Sequence, residues 1–378
     1  MDKIVVDKGL GGVVVGQSAV SKVDVEIQRL LYRGYDINDL CAHASFLETA
    51  YLLFHGELPT SSELKEFEAF ERAHREVPES VFTVMKEVPE GAHPMDFVRL
   101  GVNFLSLFDR EAELGQYSQA SILHKAKVLF AQLPNLIANG YRVVHGQPKV
   151  KPNPNLSYSQ NFLSMILGET VSDPLKIKVF DATMILYAEH GYNASTFSCR
   201  VTASTLSDFY SSICSGIGTL KGPLHGGANE QVMYLLQEIG EVAKAESVIR
   251  QKLASKAKIM GFGHRLYRMG DSRTEAIKKL GWELAKSLGQ TKWHEMSQIV
   301  EDVMIKEKNI YPNLDFPSAT AYYLLGIPID LYTPLFVASR ITGWTAHLLE
   351  QYADNRLIRP SSTYTGSALR PVKPLESR

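Results

Sequence analysis

Cysteine is nearly absent: Cys41, Cys199 and Cys214 are the only three in 378 residues. None has the pair spacing of a zinc or redox site, so they are expected to be reduced core residues in a reducing compartment. An excess of one charge is missing too. The chain carries 40 Lys and Arg against 41 Asp and Glu, a formal net charge of -1. That excludes the basic surplus of a nucleic-acid or anionic-membrane binder and leaves open a local basic pocket for a phosphorylated ligand. No unbroken apolar run approaches the length of a membrane span. The opening MDKIVVDKGLGGVVVG lacks the basic-then-apolar order of a secretory signal, so a soluble, cytoplasmic protein is expected. Two nucleotide loops are excluded as well. Gly9, Gly11, Gly12 and Gly16 suggest a dinucleotide turn, but the third required glycine would fall at Val14, and no βαβ unit follows. A phosphate loop of the form Gly-x4-Gly-Lys-Ser/Thr, internal repeats and low-complexity tracts are all lacking.

What is present is helical rhythm. Hydrophobic residues make up 45% and charged residues 21% of the chain, a globular balance with length for one large core or two modest ones. Residues 181–220 hold two apolar-to-small segments separated by Gly191, Tyr192 and Asn193. In the second, Leu206, Phe209, Tyr210, Ile213, Ile217 and Leu220 recur at spacings of three and four and mark one helix face. Its other positions are largely Ser, Ala and Gly, which lets backbones approach closely, so the segment is expected to be central and interfacial. Val232, Leu235, Leu236 and Ile239 repeat the pattern and stop at Gly240. A further helix is expected to open at Asp271 and Ser272, with Glu275 completing a capping-box spacing and Ile277, Leu280, Leu284 and Leu288 along one stripe. Val337, Ile341, Trp344 and Leu348 form another stripe after Pro334, a residue suited to a first helical turn. Period-two alternation is scarce outside the first fifteen residues, so the chain is expected to be mainly α-helical. Residues 146–155, with three prolines, and the tail from Pro360 onward read as loose.

Most of the eleven histidines need no special role. His43, His55, His74, His124, His145, His294 and His347 lie in ordinary helical or polar surroundings and read as structural or surface residues. His225, in Lys-Gly-Pro-Leu-His-Gly-Gly-Ala-Asn-Glu, sits on a tight loop feeding a helix, where the dipole disfavours its protonated form. A neutral imidazole there can still donate a hydrogen bond to a developing oxyanion; its plain alternative is a helix cap. His264 is bounded by Gly261 and Gly263, with Lys256, Lys258, Arg265 and Arg268 around it, a seat for a nucleotide phosphate. Arg273 follows on the first turn of the next helix, where a cation and free N–H groups suit an anion. Asp315 lies between two prolines beside Phe316, and burial there would raise its pKa and strengthen it as a base. Its alternative is a cap for the helix that follows. His190 has the plain reading of a C-terminal helix cap. Arg340, between the apolar turns of Val337 and Trp344, must either snorkel outward or meet an anion. Arg359 taken alone is a surface tail residue.

Together these segments resemble the citrate synthase family from end to end. The resemblance is carried by Leu31-Tyr-Arg-Gly-Tyr-Asp36, His93-Pro-Met-Asp96, Gly222-Pro-Leu-His-Gly-Gly-Ala-Asn-Glu230, Gly261-Phe-Gly-His264, Tyr311-Pro-Asn-Leu-Asp315 and Leu357-Ile-Arg-Pro360. It implies an all-α homodimer, with a large helical domain (1–225 and 331–378) and a smaller mobile one (226–330) flanking the cleft. It also implies that Asp315 removes the α-proton of an acyl thioester, His225 stabilises the enol, and His264 polarises the ketone of oxaloacetate. His190, Arg273 and Arg340 would hold the oxaloacetate carboxylates, Arg359 would reach in from the partner subunit, and Arg75 matches a further substrate contact. Lys258, Ile259, Met260, Gly261 and Phe262 would receive coenzyme A. No metal or redox cofactor is implied.

Two departures stand out. Asp271-Ser-Arg273 occupies the place of Asp-Pro-Arg in many relatives but keeps the arginine. Phe316-Pro-Ser-Ala-Thr-Ala-Tyr follows Asp315 where many citrate synthases have Tyr-Ser-Gly. With Glu189-His-Gly-Tyr-Asn-Ala-Ser-Thr-Phe197, this resembles the 2-methylcitrate synthase branch, which implies propionyl-CoA as preferred substrate with acetyl-CoA accepted. Three other readings compete: a dedicated acetyl-CoA enzyme, a zinc hydrolase gathering His190, His225, His264 and Asp315, and a non-catalytic helical binding protein. No local His-x3-His pair supports the zinc site.

Overall fold

Polar caps decide where this chain turns helical. Ser45 and Thr60 each accept a bond from the N–H three residues on, while Glu48 and Glu63 bond back to the capping N–H, giving two complete capping boxes. Pro94 and Pro174 take first-turn positions behind His93 and Asp173, whose side chains accept N–H groups left orphaned at the helix start. The computed structural model describes residues 7–89, 91–109, 117–264 and 270–378. Its helices begin with α1 (Ile37–His43), α2 (Phe46–His55), α3 (Ser61–Ala73), α4 (Glu79–Met85), α5 (Pro94–Leu105) and α6 (Gln119–Val144). Next come α7 (Tyr158–Leu167), α8 (Pro174–Tyr187), α9 (Ala194–Ser204), α10 (Phe209–Leu220) and α11 (Ala228–Ile239). The remainder are α12 (Ala245–Ala254), α13 (Thr274–Ser287), α14 (Lys292–Lys308), α15 (Asp315–Leu324) and α16 (Tyr332–Ala353).

The α-helical expectation holds, with one small antiparallel sheet: β1 (Ser21–Asp24), β2 (Arg29–Tyr32) and β3 (Tyr35–Asp36). The alternation in the first fifteen residues forms no strand from residue 7 onward, and its earlier part lies outside the described residues. The Asp7 carboxylate instead gathers the N–H groups of Gly9, Gly11 and Gly12 at 3.0–3.2 Å and folds the glycine-rich stretch into a turn.

Three further expectations are corrected. The long second segment is two helices, because Asp208 caps α10 by accepting from the Ser211 N–H and Leu206 stands between them at φ 62°. Leu206 is therefore half exposed and not on the apolar face. The capping box at Ser272 and Glu275 does not form: α13 starts at Thr274 with Arg273 as its cap, and the Asp271 carboxylate is engaged by Arg273. Residues 146–155 are irregular but pinned. Asn139 exchanges two bonds with Val150 at 2.8 and 2.9 Å, and Asn161 accepts from the Asn153 N–H at 2.7 Å.

α16 is the centre of the molecule. It is buried on every side along 332–349 and packs against α2, α6, α8, α9 and α10, where each fully covered Leu or Ile contributes roughly 1.5–3 kcal/mol. Gly216 on α10 sits against Cys199 and Trp344, so the small residues do bring α9, α10 and α16 close. α11 to α15 pack chiefly on one another, through α12 with α14 and α15 with both α11 and α13. α11 carries the expected Val232 and Leu236 face and ends at Gly240, φ 73°. Among the described residues no helix is long and apolar enough to cross a membrane.

Candidate active site

Two loops run edge to edge and carry His264 and Asp315. The Gly263 N–H donates to the Tyr311 carbonyl and the Asn313 N–H to the Gly261 carbonyl, both at 2.9 Å, while Asn313 Nδ2 donates to Gly263 at 3.1 Å. Gly261 has φ 82°, and a Cβ there would lie 2.5 Å from Val232, so the pairing requires glycine.

Asp315 opens α15, where its own N–H bonds to Asn313 Oδ1 at 3.1 Å. Its carboxylate accepts from the Tyr187 hydroxyl, at the end of α8, at 2.8 Å. Burial pushes the Asp315 carboxyl up to about 6, against the lowering pull of Tyr187 and Arg273. Tyr187 also gives its carbonyl to Arg340 Nε at 2.7 Å, so one residue ties the carboxylate to the arginine. Arg340 neither snorkels nor finds a carboxylate among the described residues. It is 1% exposed, and its guanidinium lies 4.7 Å above the Phe336 ring. Burial depresses its pKa to about 10, and a guanidinium so placed favours an incoming anion.

His190 lies beyond the end of α8, just before Gly191 turns at φ 60°. Its ring meets that of His264 edge-on, with centroids 4.9 Å apart. Burial, reinforced by Arg273, holds His190 well below the ordinary histidine range and His264 at about 4. Arg273 is buried in a bidentate pair with Asp271 at 2.9 and 2.7 Å. Asp271 also accepts from the Leu314 N–H at 3.2 Å, which fastens the Arg273 turn to the Asp315 loop. Burial alone would raise the Asp271 carboxyl, but Arg273 holds it well below the carboxylate range.

His225 sits in the tight turn between α10 and α11, where a Cβ on Gly226 would strike the Leu220 carbonyl at 2.5 Å. Its Nε2 lies 2.8 Å from Ser195 Oγ and accepts the Ser195 backbone N–H at 3.3 Å. A backbone N–H only donates, so Nε2 is bare and the neutral ring carries its proton on Nδ1. Trp344 Nε1 donates to Ser195 Oγ at 3.1 Å and fixes the hydroxyl from behind. Burial, then Arg340, lowers the His225 pKa to about 3.

Thus Asp315, His264, His190, Arg273, Arg340 and His225 belong to one linked region. Arg75 does not join it: it is bonded to both Glu71 oxygens at 2.8 and 2.7 Å and to the carbonyls of Asn153 and Leu156. That buried pin engages four of the five N–H donors of Arg75. Arg359 is exposed on the tail beyond α16. In the coenzyme A segment Lys258 is exposed, Ile259 and Gly261 are buried, and Met260 and Phe262 are half-buried; Arg265 and Arg268 lie outside the described residues. Among the described residues no group of histidines, cysteines and carboxylates could hold a metal, so the zinc arrangement does not form. Sequence reasoning missed Tyr187, Ser195 and Trp344, which carry no local signal. Asp271 had one, two positions before Arg273.

A family model described as "Citrate synthase, C-terminal domain" matches residues 9–361. This chain belongs to the citrate synthase family. It is 46% identical to a citrate synthase of Mycolicibacterium smegmatis over 97% of its length and 96% of the relative's. It is also 46% identical to a 2-methylcitrate synthase of Mycobacterium tuberculosis, over 96% of this chain and 91% of that one. Among solved structures it is similar to Thermoplasma acidophilum citrate synthase in a ternary complex with carboxymethyl coenzyme A and oxaloacetate, at TM-score 0.93 and 31% identity, over 99% of this chain and 100% of that one. Like other citrate synthase family members it is an enzyme of the acyltransferase type, condensing an acyl-CoA with oxaloacetate.

Proposed function

We propose that this enzyme prefers propionyl-CoA, accepts acetyl-CoA, and releases 2-methylcitrate or citrate with free coenzyme A. The observation that carries the assignment of its site is the Asp315 carboxylate, raised to about 6 and fixed in one region with two neutral histidines and two buried arginines. Asp315 takes the α-proton while the His225 Nδ1–H bonds to the thioester oxygen, so negative charge develops against a ready donor. The enol carbon attacks the ketone of oxaloacetate, which His264 polarises and whose alkoxide it protonates. Water then cleaves the thioester. His190, Arg273 and Arg340 hold the carboxylates of oxaloacetate, and residues 258–262 receive coenzyme A. No metal or redox cofactor enters these steps.

The acyl preference is supported by an apolar wall beside the base: Phe316 lies against Phe262 with ring centroids 4.5 Å apart. One methylene in such a pocket is worth roughly 1–3 kcal/mol. The assembly proposed is a homodimer, with residues 226–330 as the mobile smaller domain and Arg359 donated across the interface. Its support is the tail, where Leu357, Tyr364, Leu369, Val372 and Leu375 are all more than 60% exposed within one chain. The three free cysteines fit a cytoplasmic setting.

Free-thiol release with oxaloacetate and each acyl-CoA tests both levels. The expected ratio of kcat/KM favours propionyl-CoA by about tenfold. No release with either thioester overturns the condensation site, and a ratio at or below one overturns the preference alone.

A further inference from the structure

Arg340, Trp344 and His347 succeed one another on one face of α16, at spacings of four and three. Arg340 enters the site itself, and Trp344 backs Ser195 behind His225. His347 is fully buried and has no part in the chemistry above, yet it is bracketed by carboxylates. Its Nε2 lies 2.8 Å from Glu189 Oε1, and its Nδ1 lies 3.4 Å from Ser18 Oγ and 3.6 Å from Glu350 Oε2. The Glu189 carboxylate requires a proton on Nε2, and the Glu350 carboxylate near Nδ1 favours a second one there. Burial would lower its pKa, but the charge and bond of Glu189, with Glu350 behind them, outweigh it and leave the imidazole raised.

Glu189 immediately precedes His190. Its Oε1 also accepts from Ser21 Oγ at 2.9 Å and from the Gly191 N–H, while Oε2 is buried with no hydrogen-bond partner among the described residues. Ionising such a carboxylate requires a cation, and His347 is the one bonded to it. Arg340 acts on Glu189 from the site side. Arg33 faces Glu189 and Glu350 electrostatically, and Arg200 donates to the His347 carbonyl at 3.2 Å. Tyr192 meets the His347 ring at 5.3 Å. The amino-terminal stretch closes the outside. Ser21 Oγ accepts from the Gly191 N–H at 3.1 Å, Tyr192 donates to the Gln17 carbonyl at 3.1 Å, and Ala19 N–H donates to Glu350 at 2.8 Å. On the inside, the Gly343 N–H holds the Ala188 carbonyl at 3.2 Å.

We propose that His347 and Glu189 form a buried ion pair that positions the loop bearing His190 for oxaloacetate, with Ser21 as its outer clamp. This rests on the assignment of His190 to oxaloacetate given above. His347, Glu189 and Ser21 are positioning residues; none touches the reacting atoms. Loss of the pair loosens the oxaloacetate side and leaves Asp315 and His225 in place.

The test compares the unaltered enzyme with His347→Gln, Ser21→Ala and the double variant Glu189→Gln/His347→Gln, reading KM for each substrate and kcat. Histidine side-chain nitrogen spectra at pH 7.5 add a readout independent of turnover. The unaltered enzyme is expected to show an imidazolium signal with both nitrogens protonated that is absent from His347→Gln. Oxaloacetate KM is expected to rise roughly tenfold in His347→Gln and roughly threefold in Ser21→Ala, with acyl-CoA KM held within about twofold. The uncharged amide pair of the double variant is expected to recover part of that loss. A neutral His347, or an oxaloacetate KM unchanged in Ser21→Ala, overturns the proposal even if His347→Gln fails to fold. A lowered melting temperature with unchanged KM in His347→Gln overturns it too. Absence of thiol release by the unaltered enzyme strikes the condensation site instead.

Discussion

At the scale of single residues, Asp315 joins activity and stability with opposite signs. As a base it works only when ionised, so kcat/KM is expected to fall as pH drops through about 6, the value to which burial raises its carboxyl. Its folded pKa lies above the unfolded value, so the native state binds this proton more tightly. Below the unfolded pKa the group costs nothing, and as pH rises through about 6 the buried charge lowers stability. Asp315→Asn is therefore expected to be inactive yet more stable than the parent at pH 8 by about 1–3 kcal/mol, with no gain at pH 3.5, as measured by denaturant unfolding. Asp315→Ala is expected to lose turnover by roughly a thousandfold or more while still binding oxaloacetate by calorimetry; retained turnover would disprove its role as base. Part of this was legible from sequence, since Phe316 beside Asp315 already argued for a buried, raised carboxyl. The bond from Tyr187 was not, because its partner stands 128 positions away and only folding brings α8 to the start of α15.

At the scale of elements, spacing found faces more reliably than ends. The stripes on α11 and α16 were readable because apolar side chains recur with the helix period. The break between α9 and α10 was not, because Leu206 keeps that period with Phe209 and Tyr210 in sequence, although Asp208 spends its side chain on a cap. Likewise Ser272 and Glu275 have capping spacing, but Asp271 is claimed by Arg273, which takes the cap position, and the helix begins at Thr274. Close approach of backbones was legible only as a richness in small residues around α10. Gly343 on α16 has no such context, although a Cβ there would lie 2.5 Å from the Ala188 carbonyl. That neighbour is backbone and cannot swing aside. Gly343→Ala is accordingly expected to destabilise the fold by about 1–3 kcal/mol, read as a lowered midpoint in thermal or denaturant unfolding. A midpoint equal to the parent's would show that α8 and α16 can separate without cost.

At the scale of the whole molecule, motifs along the chain pointed to the six residues that the fold brings into one linked region: five sit at loops or helix ends where Gly, Pro or a lone charge breaks the apolar rhythm, and Arg340 is a lone charge inside the apolar run of α16. Arg75 fell outside because a buried arginine looks the same in sequence whether it pins a loop or greets a ligand. Arg359 raises a different question, since the reach proposed for it depends on a second copy of the chain. It stands exposed on a tail whose large apolar side chains have no cover within one subunit, and a dimer would supply both the cover and the arginine. Mixing two inactive proteins distinguishes the arrangements. In a heterodimer of Asp315→Ala and Arg359→Ala subunits, donation across the interface leaves one site with both defects and one with neither. Co-refolded equal mixtures are then expected to regain up to roughly a quarter of parental turnover, half the dimers being mixed and each having one intact site. If Arg359 serves its own subunit, every site in the mixture keeps one defect and no activity returns.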